Sequence, residues 1–270
     1  MRVLRSALAI LIVVVFTLVL WPVQVMAVRR GSVDPTCIPR WFHRMAARLL
    51  GLRIKLVGAP IAEGPCLVVA NHVSWLDIVV LGALVEGRFV AKKDMAAWPG
   101  IGLLARWQRT VFVDRTNRRQ AGQQASEIAA ALVAGDKVIL FPEGTTSDGN
   151  LMLPFNASLF ASVREAARQL GELCVQPVAI VYTNIHGIPM GRTLRGKAAW
   201  IGDQDLVPHL LACLRTGALD VEVVVGQPAT VTADVDRKAL SRSMEAEVRS
   251  MFVTALYCDL AAPERAVLPQ

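Results

Sequence analysis

Short apolar, β-branched runs alternate with helical patterns along most of this 270-residue chain. From about residue 64 onward, Cys66–Ala70, Arg88–Ala91, Thr110–Val113, Val138–Phe141, Val175–Tyr182, Ala198–Ile201 and Val221–Val225 read as strands. Trp75–Val85, Arg118–Ala134, Asn156–Leu170, Leu206–Arg215 and Arg237–Tyr257 read as helices. Alternation of this kind predicts an α/β fold: a layered, mixed and largely parallel sheet flanked by helices. No internal repeat or low-complexity linker interrupts it. Residues 31–39, with Gly, Ser and two Pro, form the one obvious hinge. The expected division is an N-terminal arm over residues 1–55 and a body over 56–270.

The arm has its own pattern. Ser6 to Val28 is a run of 23 residues without a formal charge, bracketed by Arg2/Arg5 and Arg29/Arg30. A helix over 6–28 would be about 35 Å long, enough to cross or to dip into a hydrocarbon core of about 30 Å. A signal peptide competes, with Arg2 and Arg5 as its basic region, Ala7 to Leu20 as its apolar region and Val25-Met26-Ala27 as its cleavage site. Over 38–50, Ile38, Trp41, Phe42, Met45 and Leu49 recur at helical spacing, and Arg40, Arg44 and Arg48 line another face. This is the pattern of a basic amphipathic helix at a membrane interface, although a surface helix packed on a core shows the same periodicity.

Charge sharpens that picture. The chain holds 29 Lys+Arg and 22 Asp+Glu, a net +7. Residues 1–55 alone carry nine cations and one anion, a net +8, so the remaining 215 residues net −1. Cations set around an apolar run on a near-neutral body point to anionic lipid as partner, not to nucleic acid. At 54% hydrophobic residues and a mean hydropathy of +0.44, the chain is too apolar for a disordered protein. The five cysteines are odd in number and form no CxxC, which argues against a disulfide scaffold or a zinc ribbon and for a reducing compartment.

Four segments carry candidate chemistry. In Asn71-His72-Val73-Ser74-Trp75-Leu76-Asp77, His72 sits at the carboxyl end of a predicted strand, where open α/β sheets place their sites. His72 and Asp77 are five apart, about 140° off-register on one helix, so they meet only if His72 precedes the helix and Asp77 lies in its first turn. The carboxylate then accepts a proton from one imidazole nitrogen and leaves the other free as a base. Ser74-x-x-Asp77 is also a capping box, which would give Asp77 a local role. The second segment, Phe141-Pro142-Glu143-Gly144-Thr145-Thr146-Ser147, follows another apolar strand; Gly144 permits close approach to backbone amides. The third, Thr110-Val111-Phe112-Val113-Asp114-Arg115, is a strand ending in a cation. The fourth, Gln176-Pro177-Val178-Ala179-Ile180, is a strand opened by proline.

In this order the four segments resemble the glycerolipid acyltransferase family, typified by 1-acylglycerol-3-phosphate acyltransferases, over about residues 64–185. The resemblance implies that His72 acts as general base on a lysolipid hydroxyl, with Asp77 orienting it. It implies direct attack on the thioester of acyl-CoA or acyl carrier protein, with no further cofactor and no metal. Consistent with that, the chain has no Gly-x-Ser-x-Gly nucleophile elbow. By analogy Arg115, Glu143, Gly144 and Thr145 shape the acceptor's headgroup site. Where the family block has arginine, expected to pair with the acceptor phosphate, this chain has Thr146, which cannot make a bidentate fork. Either Arg115 and Lys92 suffice for a phosphate, or the acceptor carries none. The Thr-Thr-Ser-Asp-Gly form, with Trp200-Ile201-Gly202-Asp203 and Pro208-His209-Leu210, is similar to bacterial members resembling lyso-ornithine lipid acyltransferases, whose acceptor hydroxyl lies on a fatty-acyl chain.

Two glycine patterns are discounted. Gly100-x-Gly102-x-x-Ala105 follows no strand, and Gly191-x-x-x-x-Gly196-Lys197 lacks the Ser/Thr of a phosphate-binding loop. His43, His186 and His209 lack metal-ligand spacing and read as structural or solvated. A lipid hydrolase and a non-catalytic lipid-binding membrane protein are the alternative classes. Because the acyl donors are cytosolic, the body is expected to face the cytoplasm from a bacterial inner membrane, in agreement with the cations after Val28.

Overall fold

The computed structural model describes residues 2–30, 36–114, 121–202 and 204–257. Helix α1 (Arg2–Arg30) and helix α2 (Cys37–Leu50) form the arm. The body then runs β1 (Leu52–Gly58), β2 (Cys66–Ala70), α3 (Leu76–Leu84), β3 (Gly87–Lys92), α4 (Ile101–Trp107), β4 (Val111–Val113), α5 (Ala121–Val133) and β5 (Lys137–Leu140). It continues α6 (Ala161–Leu170), β6 (Glu172–Ile185), β7 (Ile188–Pro189), α7 (Arg192–Arg195), α8 (Leu206–Thr216), β8 (Leu219–Val225), β9 (Ala229–Thr232) and α9 (Arg237–Tyr257).

Nine strands form one sheet, ordered β1-β8-β6-β2-β5-β3-β4, with β7 and β9 also paired to β6. Strands β6, β2, β5, β3 and β4 are parallel neighbours, as are β1 and β8; β6 and β8 pair antiparallel. Both faces of the sheet are covered, which is why its central strands are apolar at nearly every position. Cys66, Val68 and Ala70 of β2 face a core shared with α2, α3 and α8, while Leu67 and Val69 face the core shared with α5, α6 and α9. The carboxyl ends of β2, β5, β3 and β4 therefore lie side by side along one edge.

The fold class is the α/β layered sheet that the sequence pattern predicts. Several elements differ. Ala198–Ile201 is not a strand: Trp200 donates a single backbone hydrogen bond to the Val73 carbonyl, and no ladder follows. Its two alanines are fully buried, so the apolar run reflects a packed loop. Strand β1 spans the expected boundary at residue 55, and the sheet begins at Leu52. Its cations belong to the sheet: Arg53 pairs with Asp220, and Lys55 Nζ lies 3.4 Å from Glu222, in register across β1 and β8. The cations of α2 are also partly engaged. Arg40 pairs with Glu86, and Arg44 Nε donates to the Ala83 carbonyl at 3.1 Å, leaving Arg48 exposed.

The buried side of α2 is His43, Ala46, Ala47 and Leu50, packed on α3. His43 fits because Gly82 has no side chain: a Cβ there would lie 2.3 Å from the imidazole Cδ2. Burial pulls the His43 imidazole down to about 4 despite a hydrogen bond at 2.9 Å with Gln108 Oε1. Helix α1, about 44 Å long, lies along the body. Its Arg5 end sits against Gly217 and its Gln24 end donates to the Trp107 carbonyl at 2.7 Å. Leu8, Leu11, Val15, Leu18 and Val19 face outward and exposed.

Candidate active site

The edge at the carboxyl ends of β2 and β5 gathers the motif residues. His72 leaves β2 before α3 begins, and Asp77 is the second residue of α3. The two side chains meet, His72 Nδ1 lying 2.9 Å from Asp77 Oδ2. Asp77 is fully buried. The same Oδ2 accepts the backbone N–H of Val73 at 2.7 Å and of Ser74 at 2.9 Å. Oδ1 accepts the Tyr182 hydroxyl at 2.8 Å. One carboxylate thus orients the histidine and ties down the Val73–Ser74 backbone; the capping box is only half made, since the buried Ser74 hydroxyl has no partner among the described residues. With Asp77 accepting at Nδ1–H, the tautomer places the lone pair on Nε2, and no group among the described residues hydrogen-bonds Nε2. The imidazole is further fixed by stacking on Phe141, with centroids 4.1 Å apart and planes 13° apart.

Asn71 holds the loop to the sheet. Its Oδ1 accepts the Ile180 N–H at 2.7 Å and its Nδ2 donates to the Ile180 carbonyl at 3.0 Å. Glu143 grips the other side of His72. Its Oε1 accepts the His72 N–H at 2.7 Å and its Oε2 accepts the Leu153 N–H at 2.8 Å. Burial pushes the Glu143 carboxyl up to about 7, against those two hydrogen bonds, which lower it. Gly144 turns the chain at φ +76°, a left-handed conformation that favours glycine. The Ser147 N–H then donates to the His72 carbonyl at 2.8 Å.

Thr145 is exposed. Thr146 is turned inward, where its hydroxyl donates to the Trp200 carbonyl. Lys92, at the end of β3, is exposed on the same edge two strands from β2, about 10 Å away by strand spacing. Arg115 lies outside the described residues, as does Asp203. The structure thus brings His72, Asp77, Glu143, Gly144 and Thr146 into one constellation, and leaves Lys92 at its margin. Tyr182 was missed in the sequence; the available signal was a hydroxyl closing the predicted strand Val175–Tyr182, in a chain with two tyrosines. Phe141 as the stacking partner and Asn71 as a clamp likewise emerge only in three dimensions.

Beside this constellation is a partly open cavity of about 340 Å³ lined by α1, α2, α3, β3, α4 and α8. Phe16, Phe42, Ile78, Phe89, Trp98 and Leu210 represent its apolar lining. Phe89 stacks on Phe141, with centroids 6.2 Å apart, so two rings separate the cavity from the His72 imidazole. Among the described residues no cluster of three or more His, Cys, Asp or Glu is arranged to hold a metal ion.

Comparison with known proteins gives a consistent result. Residues 53–181 match the family model described as Acyltransferase. The chain is 48% identical over 255 residues to the lyso-ornithine lipid O-acyltransferase of Brucella abortus, covering 94% of this chain and 96% of that one. It is 46% identical to the lyso-ornithine lipid O-acyltransferase of Rhizobium meliloti, covering 92% and 85%. The crystal structure of the 1-acyl-sn-glycerophosphate acyltransferase from Thermotoga maritima superposes with a TM-score of 0.64 at 22% identity, covering 98% of this chain and all of that one. That likeness concerns the fold.

Proposed function

The chain belongs to the acyltransferase family, and on that premise we propose that it moves a fatty acyl group from an acyl thioester to a lysolipid hydroxyl. The observation that carries this reading is His72, locked by Asp77 and Phe141 with Nε2 bare at the sheet's carboxyl edge. The acceptor hydroxyl gives its proton to Nε2 as its oxygen attacks the thioester carbonyl carbon. Asp77 opposes the imidazolium that forms. The tetrahedral intermediate collapses, the carbon–sulfur bond breaks, and the departing thiolate of coenzyme A or acyl carrier protein takes the proton back. General-base assistance of this kind is worth roughly 10²–10⁴-fold.

Lyso-ornithine lipid is the acceptor we favour, with 1-acylglycerol-3-phosphate as the second. Thr146 supports the order: its hydroxyl is spent on the Trp200 carbonyl, so the position offers neither charge nor a free donor to a phosphate. The apolar cavity against Phe89 suits an acyl chain. Helix α1 touches the body from Arg5 to Gln24, a span of about 28 Å. Docking along that length supports a helix lying in the lipid surface beside the body, with its exposed face in the acyl layer. The body then meets the membrane from the cytoplasmic side, where acyl thioesters are available. The test is competition: purified protein on vesicles holding equal amounts of both lysolipids, with labelled acyl-CoA or acyl carrier protein, and products resolved by mass spectrometry. Acylated ornithine lipid in excess supports the reading; phosphatidate in excess reverses the acceptor order.

A further inference from the structure

Arg195, in α7, is buried, with 7% of its surface exposed. Its backbone is pinned: its carbonyl accepts the N–H groups of Ala198 and Ala199 at 3.0 and 3.1 Å, and both alanines are fully buried. Its guanidinium is far from saturated. Nη1 donates to Asn150 Oδ1 at 3.1 Å, and the buried Nε has no partner. No carboxylate among the described residues forms an ion pair with it. A buried guanidinium without an anion is costly, and it persists where an anion arrives from outside the chain.

Asn150 explains why the nearest acid does not neutralise it. Asn150 Nδ2 donates to Asp148 Oδ2 at 3.1 Å and to the Arg192 carbonyl at 3.2 Å, which turns its Oδ1 toward Arg195. The Asn150 N–H also donates to Asp148 Oδ1 at 2.9 Å. One neutral amide therefore stands between the buried cation and an exposed anion whose oxygens accept from Asn150 and Leu151, and the Arg195 Nε–H stays unused. Burial is the largest single influence and raises the Asp148 carboxyl, but the donors from Asn150 and Leu151 together prevail and hold it below the usual carboxylate range. The assembly borders the catalytic loop. A Cβ on Gly149 would lie 3.2 Å from Val73 Cγ1 and 3.7 Å from Arg195 Cβ, and Ser147 binds the His72 carbonyl. Arg195 is thus one residue layer from the strand end that carries the base.

We propose that Arg195 binds the carboxylate of the acceptor's amino-acid headgroup, and that Asp148 receives its ammonium. The pair reads a zwitterion where the family's arginine, replaced here by Thr146, would read a phosphate. The assignment rests on the lyso-ornithine acceptor reading above.

The test compares kcat and KM for the wild type, Arg195→Gln and Arg195→Lys with three acceptors: lyso-ornithine lipid, its carboxylate methyl ester, and lysophosphatidate. Wild type is expected to prefer the acid over the ester by about 10- to 100-fold, the worth of a charge-assisted hydrogen-bond pair. Arg195→Gln is expected to raise KM for the acid by about as much, leave kcat within a few-fold, and erase the preference. Arg195→Lys keeps the charge without the fork and falls between. The proposal is overturned if wild type does not distinguish acid from ester, a result that stands even if Arg195→Gln fails to fold. It is also overturned if Arg195→Gln keeps the ratio while kcat and unfolding temperature drop for both acceptors, or if only lysophosphatidate transfer is lost. Absence of any product from lyso-ornithine lipid with wild type marks failure of the acceptor reading itself, and the proposal falls with it.

Discussion

Replacing Asp77 with Asn removes one charge and keeps the side chain's shape. Three N–H groups point at Oδ2, from His72, Val73 and Ser74, so the asparagine oxygen must take that place. Its Nδ2 then faces Tyr182, whose hydroxyl oxygen can accept. Packing survives, and the loss is the field opposing the imidazolium. At 2.9 Å and an effective dielectric near 20, that interaction is about 6 kcal/mol. The amide dipole and the remaining donors recover part, which leaves about 3–5 kcal/mol and a fall in kcat of about 10²–10⁴-fold. Removing the Tyr182 hydroxyl with Tyr182→Phe deletes one donor of four and costs about 1 kcal/mol, roughly fivefold. The assay is saturating turnover of labelled acyl-CoA with lysolipid, alongside the unfolding temperature. Because base and carboxylate act as a unit, His72→Ala/Asp77→Asn should be no slower than His72→Ala alone. Asp77→Asn within fivefold of wild type at unchanged stability, or losses that multiply in the double variant, would refute the reasoning.

Three further outcomes are expected. Glu143 holds a proton up to about 7 that the unfolded chain releases near 4.5, so it lowers stability as pH rises through that window, by up to about 3 kcal/mol. Glu143→Gln should remove that contribution, so that its urea midpoints rise from pH 4.5 to 6.5 where those of wild type do not; a profile unchanged from wild type counts against it. His43 acts the other way: it stays neutral down to about 4 while the unfolded chain binds a proton below 6.5. It therefore costs stability on acidification from 6.5 to 4, again up to about 3 kcal/mol. Wild type should be nearly flat where the two windows overlap, and His43→Gln should instead gain stability on acidification from 6.5 to 4.5; a profile unchanged from wild type sinks the idea. Gly82→Ala drives a methyl into the His43 ring, costing about 1–3 kcal/mol and several degrees of unfolding temperature; a variant as stable as wild type would show that the α2–α3 contact yields.

The central strands were legible because a sheet covered on both faces writes long apolar runs. Strand β1 was not, since its Arg53 and Lys55 look like part of a lipid-seeking arm. Their partners Asp220 and Glu222 lie 167 residues away and become visible only once β1 and β8 are paired. Ala198–Ile201 misled for the converse reason: a loop packed under α7 is as apolar as a strand. At the site, the spacing of His72 and Asp77 around a helix start foretold how the two side chains could meet. The Tyr182 bond, the Phe141 stack and the Asn71 clamp could not be foretold, because each joins the segment from Asn71 to Asp77 to a residue 69 or more positions away in sequence. Arg195 carried no local signal; its burial and its missing anion are properties of the packed loop.

The most direct measurement is His72-dependent acyl transfer by the purified chain in mixed micelles. Labelled acyl-CoA and acyl carrier protein are offered with lyso-ornithine lipid and with lysophosphatidate, in separate reactions. The expected result is acylated ornithine lipid from wild type, reduced about 10²–10⁴-fold in His72→Ala at an unchanged unfolding temperature. Product formation unaffected by His72→Ala, or no product from either acceptor with either donor, would contradict the mechanism at its root.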